Sequence, residues 1–297
     1  MIGVDVGGTK ILAGLVARDG TVVAHRENPT PRESEQALLD GLEGAVRELL
    51  DEAVAAVGFG IPSRIDQRAG IALGSVNIPL VDVPFRDVMG ERLGLPVAIE
   101  NDGNAAAIAE WKAGAGRGTN DMIMLTLSTG VGGGLILGGK PYRGSIGAGA
   151  ELGHIVIVHD GAPCSCGGLG HLEAYVSGKA ADEIAREAFG PAADAHRLVR
   201  LAHEGDALAV DLLTEIGRKL GSGLGSIVNT FDPELIVIGG GFAAAGEFVL
   251  GPAREVMERE ALKPTRDTLQ VVRAELGTSA GMIGAAMVAF EASDAAS

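Results

Sequence analysis

The sequence predicts an α/β fold made from a duplicated unit. Three observations carry that expectation. Short β-rich apolar runs alternate with segments of helical period. Residues 2–16 read strand, glycine turn, strand, and residues 122–137 repeat the pattern. Of 297 residues, 46% are hydrophobic, close to the roughly 45–50% of soluble domains. That length suits one large domain or two medium ones.

In chain order, Met1–Val6 is an apolar run ended by Gly7-Gly8, with a second β-rich run at Ile11–Val16 and a third at Thr21–His25. Glu33–Ala53 carries apolar residues at helical spacing. Val54–Ile61 is a buried strand stopped by Pro62. Pro84–Leu93 reads as a helix, Pro96–Ile99 as a strand, and Asn104–Ala113 as an Ala-rich helix with Asn101 and Asp102 as capping residues. The pattern then restarts with strands at Met122–Leu127 and Gly133–Leu137, followed by glycine-rich chain to about Gly170. Helices are expected at Gly178–Phe189, His196–His203, Leu208–Thr230, Phe248–Leu262 and Ser279–Glu291, strands at Glu234–Ile238 and Leu269–Arg273, and a frayed tail over Ser293–Ser297.

Composition excludes several classes. The 46 glycines follow no collagen period, and two cysteines cannot staple a disulfide scaffold. A formal net charge of −15 opposes non-specific nucleic-acid binding and an anionic membrane surface. No apolar run reaches the roughly 18 residues of a membrane span. The N-terminus lacks a basic, cleavable leader, so a cytoplasmic protein is expected.

A glycine turn between strands lets backbone N–H groups approach an anion with no Cβ in the way. Gly7, Gly8 and Thr9 form one such turn, with Asp5 placed to hold Mg²⁺. Thr129, Gly130, Gly132 and Gly133 form a second. Gly239, Gly240 and Gly241 follow a buried strand, where a base or ribose can lie against backbone. Three glycine turns at strand ends point to a nucleotide cleft rather than to three unrelated hairpins. Fourteen glycines between Gly130 and Gly170 bring 19 of the 46 to these turns and the metal segment. Glu100-Asn101-Asp102 joins a strand to a helix. A carboxylate there can accept a proton from a hydroxyl nucleophile while the amide orients it. Asn77, Asn101, Asp102, Glu151, His154 and Glu173 are residue types that grip sugar hydroxyls. His154, Cys164, Cys166 and His171 lie within 18 residues, a donor set for tetrahedral Zn²⁺. Their spacing is not that of a nucleic-acid-binding zinc finger. Lys10 is read as a phosphate contact or a plain ion pair, and Trp111 as core packing.

Together these segments resemble the ROK family of sugar kinases, within the actin-like (ribonuclease H-like) ATPase superfamily. The resemblance covers Asp5–Lys10, Glu100–Asn104 with Ala105–Ala107 and Glu110, Thr129–Gly133, Glu151–His154, Cys164–Glu173 and Gly239–Gly241. Its Cys-x-Cys-Gly-x-x-Gly-x-x-Glu pattern is the most specific part. It implies two lobes about a central cleft: a small lobe over 1–100 completed by 279–297, and a large lobe over 101–278 carrying the zinc knuckle. It also implies MgATP and structural zinc, a hexose phosphorylated at its 6-hydroxyl, and a homodimer or homotetramer.

By that resemblance Asp102 is the general base. Asn101, Glu151, His154 and Glu173 are sugar ligands, and His154 serves the metal as well. Gly7–Thr9 and Thr129–Gly132 hold phosphates, and Gly239–Gly241 the adenosine. The family usually has cysteine where this chain has His171; imidazole is a competent zinc ligand. Glu100-Asn101-Asp102 and Ser75-Val76-Asn77-Ile78-Pro79 resemble the glucokinase branch, which makes glucose the expected substrate. The alternatives are mannose, N-acetylglucosamine, N-acetylmannosamine or fructose as acceptor, and polyphosphate as donor. A sugar-responsive regulator without its DNA-binding segment and a non-catalytic ATPase are the other readings. With only four residues before Asp5, no DNA-binding segment is expected.

Overall fold

The computed structural model describes residues 1–75 and 77–296. Val76, in the expected glucose loop, and Ser297 lie outside the described residues. The chain divides into two units. The first comprises residues 1–118, 134–150 and 275–297; the second comprises 119–133 and 151–274.

The chain opens with β1 (Ile2–Val6), β2 (Lys10–Val16), β3 (Val22–Pro29) and α1 (Glu35–Arg47). Then come β4 (Val57–Ile61), β5 (Arg64–Asp66), β6 (Ile71–Gly74), α2 (Phe85–Leu93), β7 (Val97–Asn101) and α3 (Asp102–Ala113). β8 (Met122–Leu127), β9 (Val131–Leu137) and β10 (Lys140–Tyr142) follow. Next are α4 (Glu173–Val176), α5 (Gly178–Phe189), α6 (Ala195–His203), α7 (Ala207–Phe231) and β11 (Leu235–Gly239). The chain closes with α8 (Glu247–Glu260), α9 (Thr265–Thr268), β12 (Gln270–Arg273) and α10 (Ala280–Ala296).

In the first unit the sheet order is β3-β2-β1-β4-β7. β1 pairs antiparallel with β2 and parallel with β4, and β4 pairs parallel with β7. Side chains alternate across a strand. Ile2, Val4 and Phe59 share one core cluster with Leu38, Leu42 and Val46 of α1 and Phe85 and Met89 of α2. Phe59 and Phe85 meet edge to face at 5.2 Å. The residues between them on the strands include glycines. A Cβ on Gly3 would lie 2.0 Å from the Met282 carbonyl oxygen, and one on Gly58 1.8 Å from that of Ala285. The backbone of α10 therefore rests directly on β1 and β4.

The second sheet runs β10-β9-β8-β11-β12, with β11 parallel to both β8 and β12. The chain passes from the second unit to the first within β9, between Gly133 and Gly134. In the second unit α7 packs closely on α8. A Cβ on Gly217 or Gly221 would lie 2.4 Å from the carbonyl oxygen of Val249 or Ala253.

Several elements differ from expectation. β3 continues to Pro29 because β2 offers it a partner along its whole length, from Lys10 opposite Pro29 to Val16 opposite Val22. The β5–β6 hairpin has too little apolar character to read as strands. The expected frayed tail is helical as far as Ala296, and Arg18 grips Asp294 there with two bonds of 2.6 and 2.9 Å. Among the described residues no helix is long and apolar enough to cross a membrane.

Candidate active site

In the first unit, Asp5 sits near the end of β1 and the Gly7–Thr9 turn leads into β2. The turn is closed by Gly7 N–H donating to the Lys10 carbonyl (2.8 Å) and by the Thr30 hydroxyl donating to the Gly7 carbonyl (2.8 Å). Asn77 lies beside it, since a Cβ on Gly8 would come within 3.6 Å of the Asn77 Cβ. Asn101 caps α3. Its Oδ1 accepts from Gly103 N–H (2.9 Å) and Asn104 N–H (3.2 Å), while Nδ2 donates to the Ser63 carbonyl (3.3 Å). The amide bears a second N–H on that nitrogen for a ligand. Asp102 is the first residue of α3, with Oδ1 accepting from Gly103 N–H at 2.9 Å. A helix N-terminus favours negative charge, and Asp102 stands at one. Burial, then the nearby charge of Asp102, push the Asp5 carboxyl up to about 7, and Lys10 acts the other way. A bound cation would relieve two such neighbouring acids.

In the second unit, the Thr129–Gly133 turn is held by its surroundings. The Ser128 carbonyl accepts from Gly178 N–H at the start of α5 (2.6 Å), and Ser128 N–H donates to the Gly130 carbonyl (2.9 Å). Glu173 reaches the turn: its Oε2 accepts from Val131 N–H at 2.9 Å. The Gly239–Gly241 turn lies against the same strand end. A Cβ on Gly240, whose φ is +87°, would meet the Leu127 carbonyl oxygen at 2.2 Å.

His154, Cys164, Cys166 and His171 converge, with one donor atom from each lying within 4.8 Å of the others. His154 Nδ1 is 3.8 Å from Cys164 Sγ, and His171 Nδ1 is 3.2 Å from Cys166 Sγ. Tetrahedral ligands at zinc distances stand roughly 3.5 Å apart, so the donor set fits that ion. The tight approach at His171 shows that imidazole reaches where the family resemblance leads one to expect cysteine. His154 is two-faced, for its Nε2 lies 4.0 Å from Glu151 Oε2. Glu173 borders this cluster too, accepting from the Ser165 hydroxyl at 2.9 Å.

The ROK family model matches residues 1–292. This chain belongs to the ROK family. It is 37% identical to the glucokinase of Streptomyces coelicolor, over 98% of this chain and 97% of that protein. It is 35% identical to the glucokinase of Thermotoga maritima, with the same coverage. Among solved structures it is similar to a ROK family glucokinase from Streptomyces griseus in complex with glucose and AMPPNP, at 38% identity and a TM-score of 0.86, covering 98% of this chain and 99% of that one.

Within this ROK chain the structure brings Asp5, Asp102 and the first glycine turn into one unit. Glu173, the His/Cys cluster and the other two glycine turns lie in the other unit. Lys10 is an exposed ion pair with Glu27 at 2.8 Å. Trp111 departs from the core expectation: it is half-buried, and Lys112 Nζ stands 4.7 Å from its ring centre. The sequence singled out Glu100 but not its two partners, Gln67 and Arg143. Glu100 is fully buried at the end of β7, Arg143 pairs with it at 2.6 Å, and Gln67 Nε2 donates to it at 3.1 Å. The available signal was Val97-Ala98-Ile99-Glu100, because a charge ending an apolar strand needs a partner.

Proposed function

We propose that this chain transfers the γ-phosphoryl group of ATP to the 6-hydroxyl of glucose. The observation that carries this reading is Asp102, set at the N-terminus of α3 beside Asp5 and Asn101 in a chain 37% identical to a glucokinase. Asp102 accepts the hydroxyl proton as the oxygen attacks phosphorus, and ADP leaves. Phosphoryl transfer relies mostly on positioning and electrostatics. Asn77, Asn101, Glu151, His154 and Glu173 orient the sugar. The Gly7–Thr9 and Thr129–Gly133 turns present N–H groups to the phosphates, and Gly239–Gly241 receives the adenosine. Asp5 is placed to hold Mg²⁺, which neutralises phosphate charge when bound. His154, Cys164, Cys166 and His171 would hold a structural zinc that shapes the segment bearing Glu173.

Asp102→Asn is expected to lower kcat by roughly 10²–10⁴-fold with an unchanged melting temperature. Near wild-type turnover in a coupled assay with glucose and ATP would remove Asp102 as the base. Metal analysis of freshly purified protein should find one zinc per chain, lost in Cys164→Ser/Cys166→Ser. A metal-free wild type would end the zinc assignment.

A further inference from the structure

The carboxylate of Glu100 accepts four hydrogen bonds from three parts of the first unit. Its Oε1 accepts from Gln67 Nε2 (3.1 Å), which follows β5, from Asn101 N–H (3.0 Å) and from Asn104 Nδ2 (3.2 Å) on α3. Its Oε2 accepts from Arg143 Nε at 2.6 Å. Glu100 is 1% exposed, whereas the Arg143 side chain is 29% exposed. Arg143 opens the glycine-rich segment 143–150, which is closed on itself by Gly149 N–H donating to the Arg143 carbonyl (2.9 Å) and meets the rest of the unit where Gly147 rests on the Ile65 carbonyl.

A buried carboxylate is tolerated when its lone pairs are taken and a cation faces it. Such pairs add little net stability compared with apolar residues of the same shape. What this one does is geometric. Asn101, the cap of α3, has its backbone N–H on Glu100 and its side chain on the Ser63 carbonyl, so both neighbours fix where Asp102 begins the helix. The Glu100 side chain itself is enclosed and turned toward Arg143, Gln67 and Asn104, which leaves it no direct part in the chemistry.

We propose that Glu100 and Arg143 are a positioning pair for Asp102, holding the start of α3 at the angle and depth that proton transfer needs. The proposal rests on Asp102 being the base. Misplacement of a catalytic group by about 1 Å can cost roughly 10²-fold in rate. Arg143→Met should therefore lower kcat by about 10- to 100-fold while the KM values for glucose and ATP stay within about twofold. Arg143→Lys, which keeps the charge, should recover most of the loss. The double variant Glu100→Gln/Arg143→Met, which leaves no buried charge unpaired, should fold as the wild type does yet remain slow. It therefore decides the matter if Arg143→Met alone unfolds.

The proposal is overturned if kcat is unchanged in the folded variants. It is equally overturned if KM rises with kcat intact, or if Arg143→Lys is as slow as Arg143→Met. Asp102→Asn run beside them separates the two readings. If that variant is inactive while the Glu100 and Arg143 variants are normal, only the positioning pair falls. If Asp102→Asn is active, the base assignment falls with it.

Discussion

The glycines of the three turns look alike in sequence and differ in why glycine suits them. At Gly130, Gly132 and Gly133 an added Cβ would stand 2.5, 2.8 and 2.9 Å from Glu173 Oε2, Thr126 Oγ1 and the Met124 carbonyl oxygen. Gly240 adds a left-handed φ of +87° and a backbone oxygen at 2.2 Å. At Gly133 and Gly240 the neighbour is backbone, so packing demands glycine; at Gly130 and Gly132 it is a side-chain oxygen that can give way. Gly8 is different: its Cβ would make ordinary contact with Asn77 at 3.6 Å. At Gly241 it would meet nothing within 4 Å. The fold leaves room for a side chain at both positions, and both stand in turns at strand ends that are proposed to receive ATP. Glycine suits a backbone that a ligand approaches.

The largest effect should come from Gly240→Ala. Strain at positive φ combined with a clash on backbone is expected to cost about 3 kcal/mol or more, read as a lower urea midpoint or loss of soluble protein. A wild-type midpoint would mean that packing does not demand this glycine. Next come Gly8→Ala and Gly241→Ala. Both should keep or slightly raise stability, by roughly 0.5 kcal/mol. They should nevertheless raise the KM for ATP by about tenfold, equivalent to about 1.4 kcal/mol of binding. Gly44→Ala on α1, where a Cβ also meets nothing within 4 Å, is the control and should leave ATP kinetics alone. Equal kinetics in all three variants would erase the distinction.

The last effect is read as a pH dependence and concerns Asp5. Its carboxyl is raised from 3.8 to about 7, so the folded state holds that proton more tightly than the unfolded chain does. The resulting stabilisation is present below the unfolded value and is lost as pH rises through about 7. In metal-free buffer the stability of wild type minus that of Asp5→Asn should therefore fall between pH 4 and 7. A difference that stays level across that range would contradict the burial argument.

Much of the fold was legible because its signals are local. The glycine turns end strands, the α1 stripe has helical period, and Asn101 stands where a capping side chain must. The His/Cys cluster was legible for the same reason, since 18 residues bring all four together. Glu110 was less legible. It is fully buried and accepts backbone N–H bonds from Ala115, Glu275 and Leu276 at 2.9, 3.1 and 2.8 Å. Two of these partners lie more than 160 residues away, and nothing in the Ala-rich run around Glu110 announces them.

By itself the sequence determined the alternation of strands and helices, the glycine turns, the acid-amide junction at Glu100–Asp102 and the metal donors. Each depends on residues within a turn or two of one another, where steric and hydrogen-bonding rules act directly. Only the tertiary structure decided that Arg143 answers Glu100, that Glu173 reaches the second glycine turn, and which glycines serve packing. Those outcomes depend on which buried polar groups find partners from distant segments, because a desolvated charge must be met wherever the fold brings a donor to it.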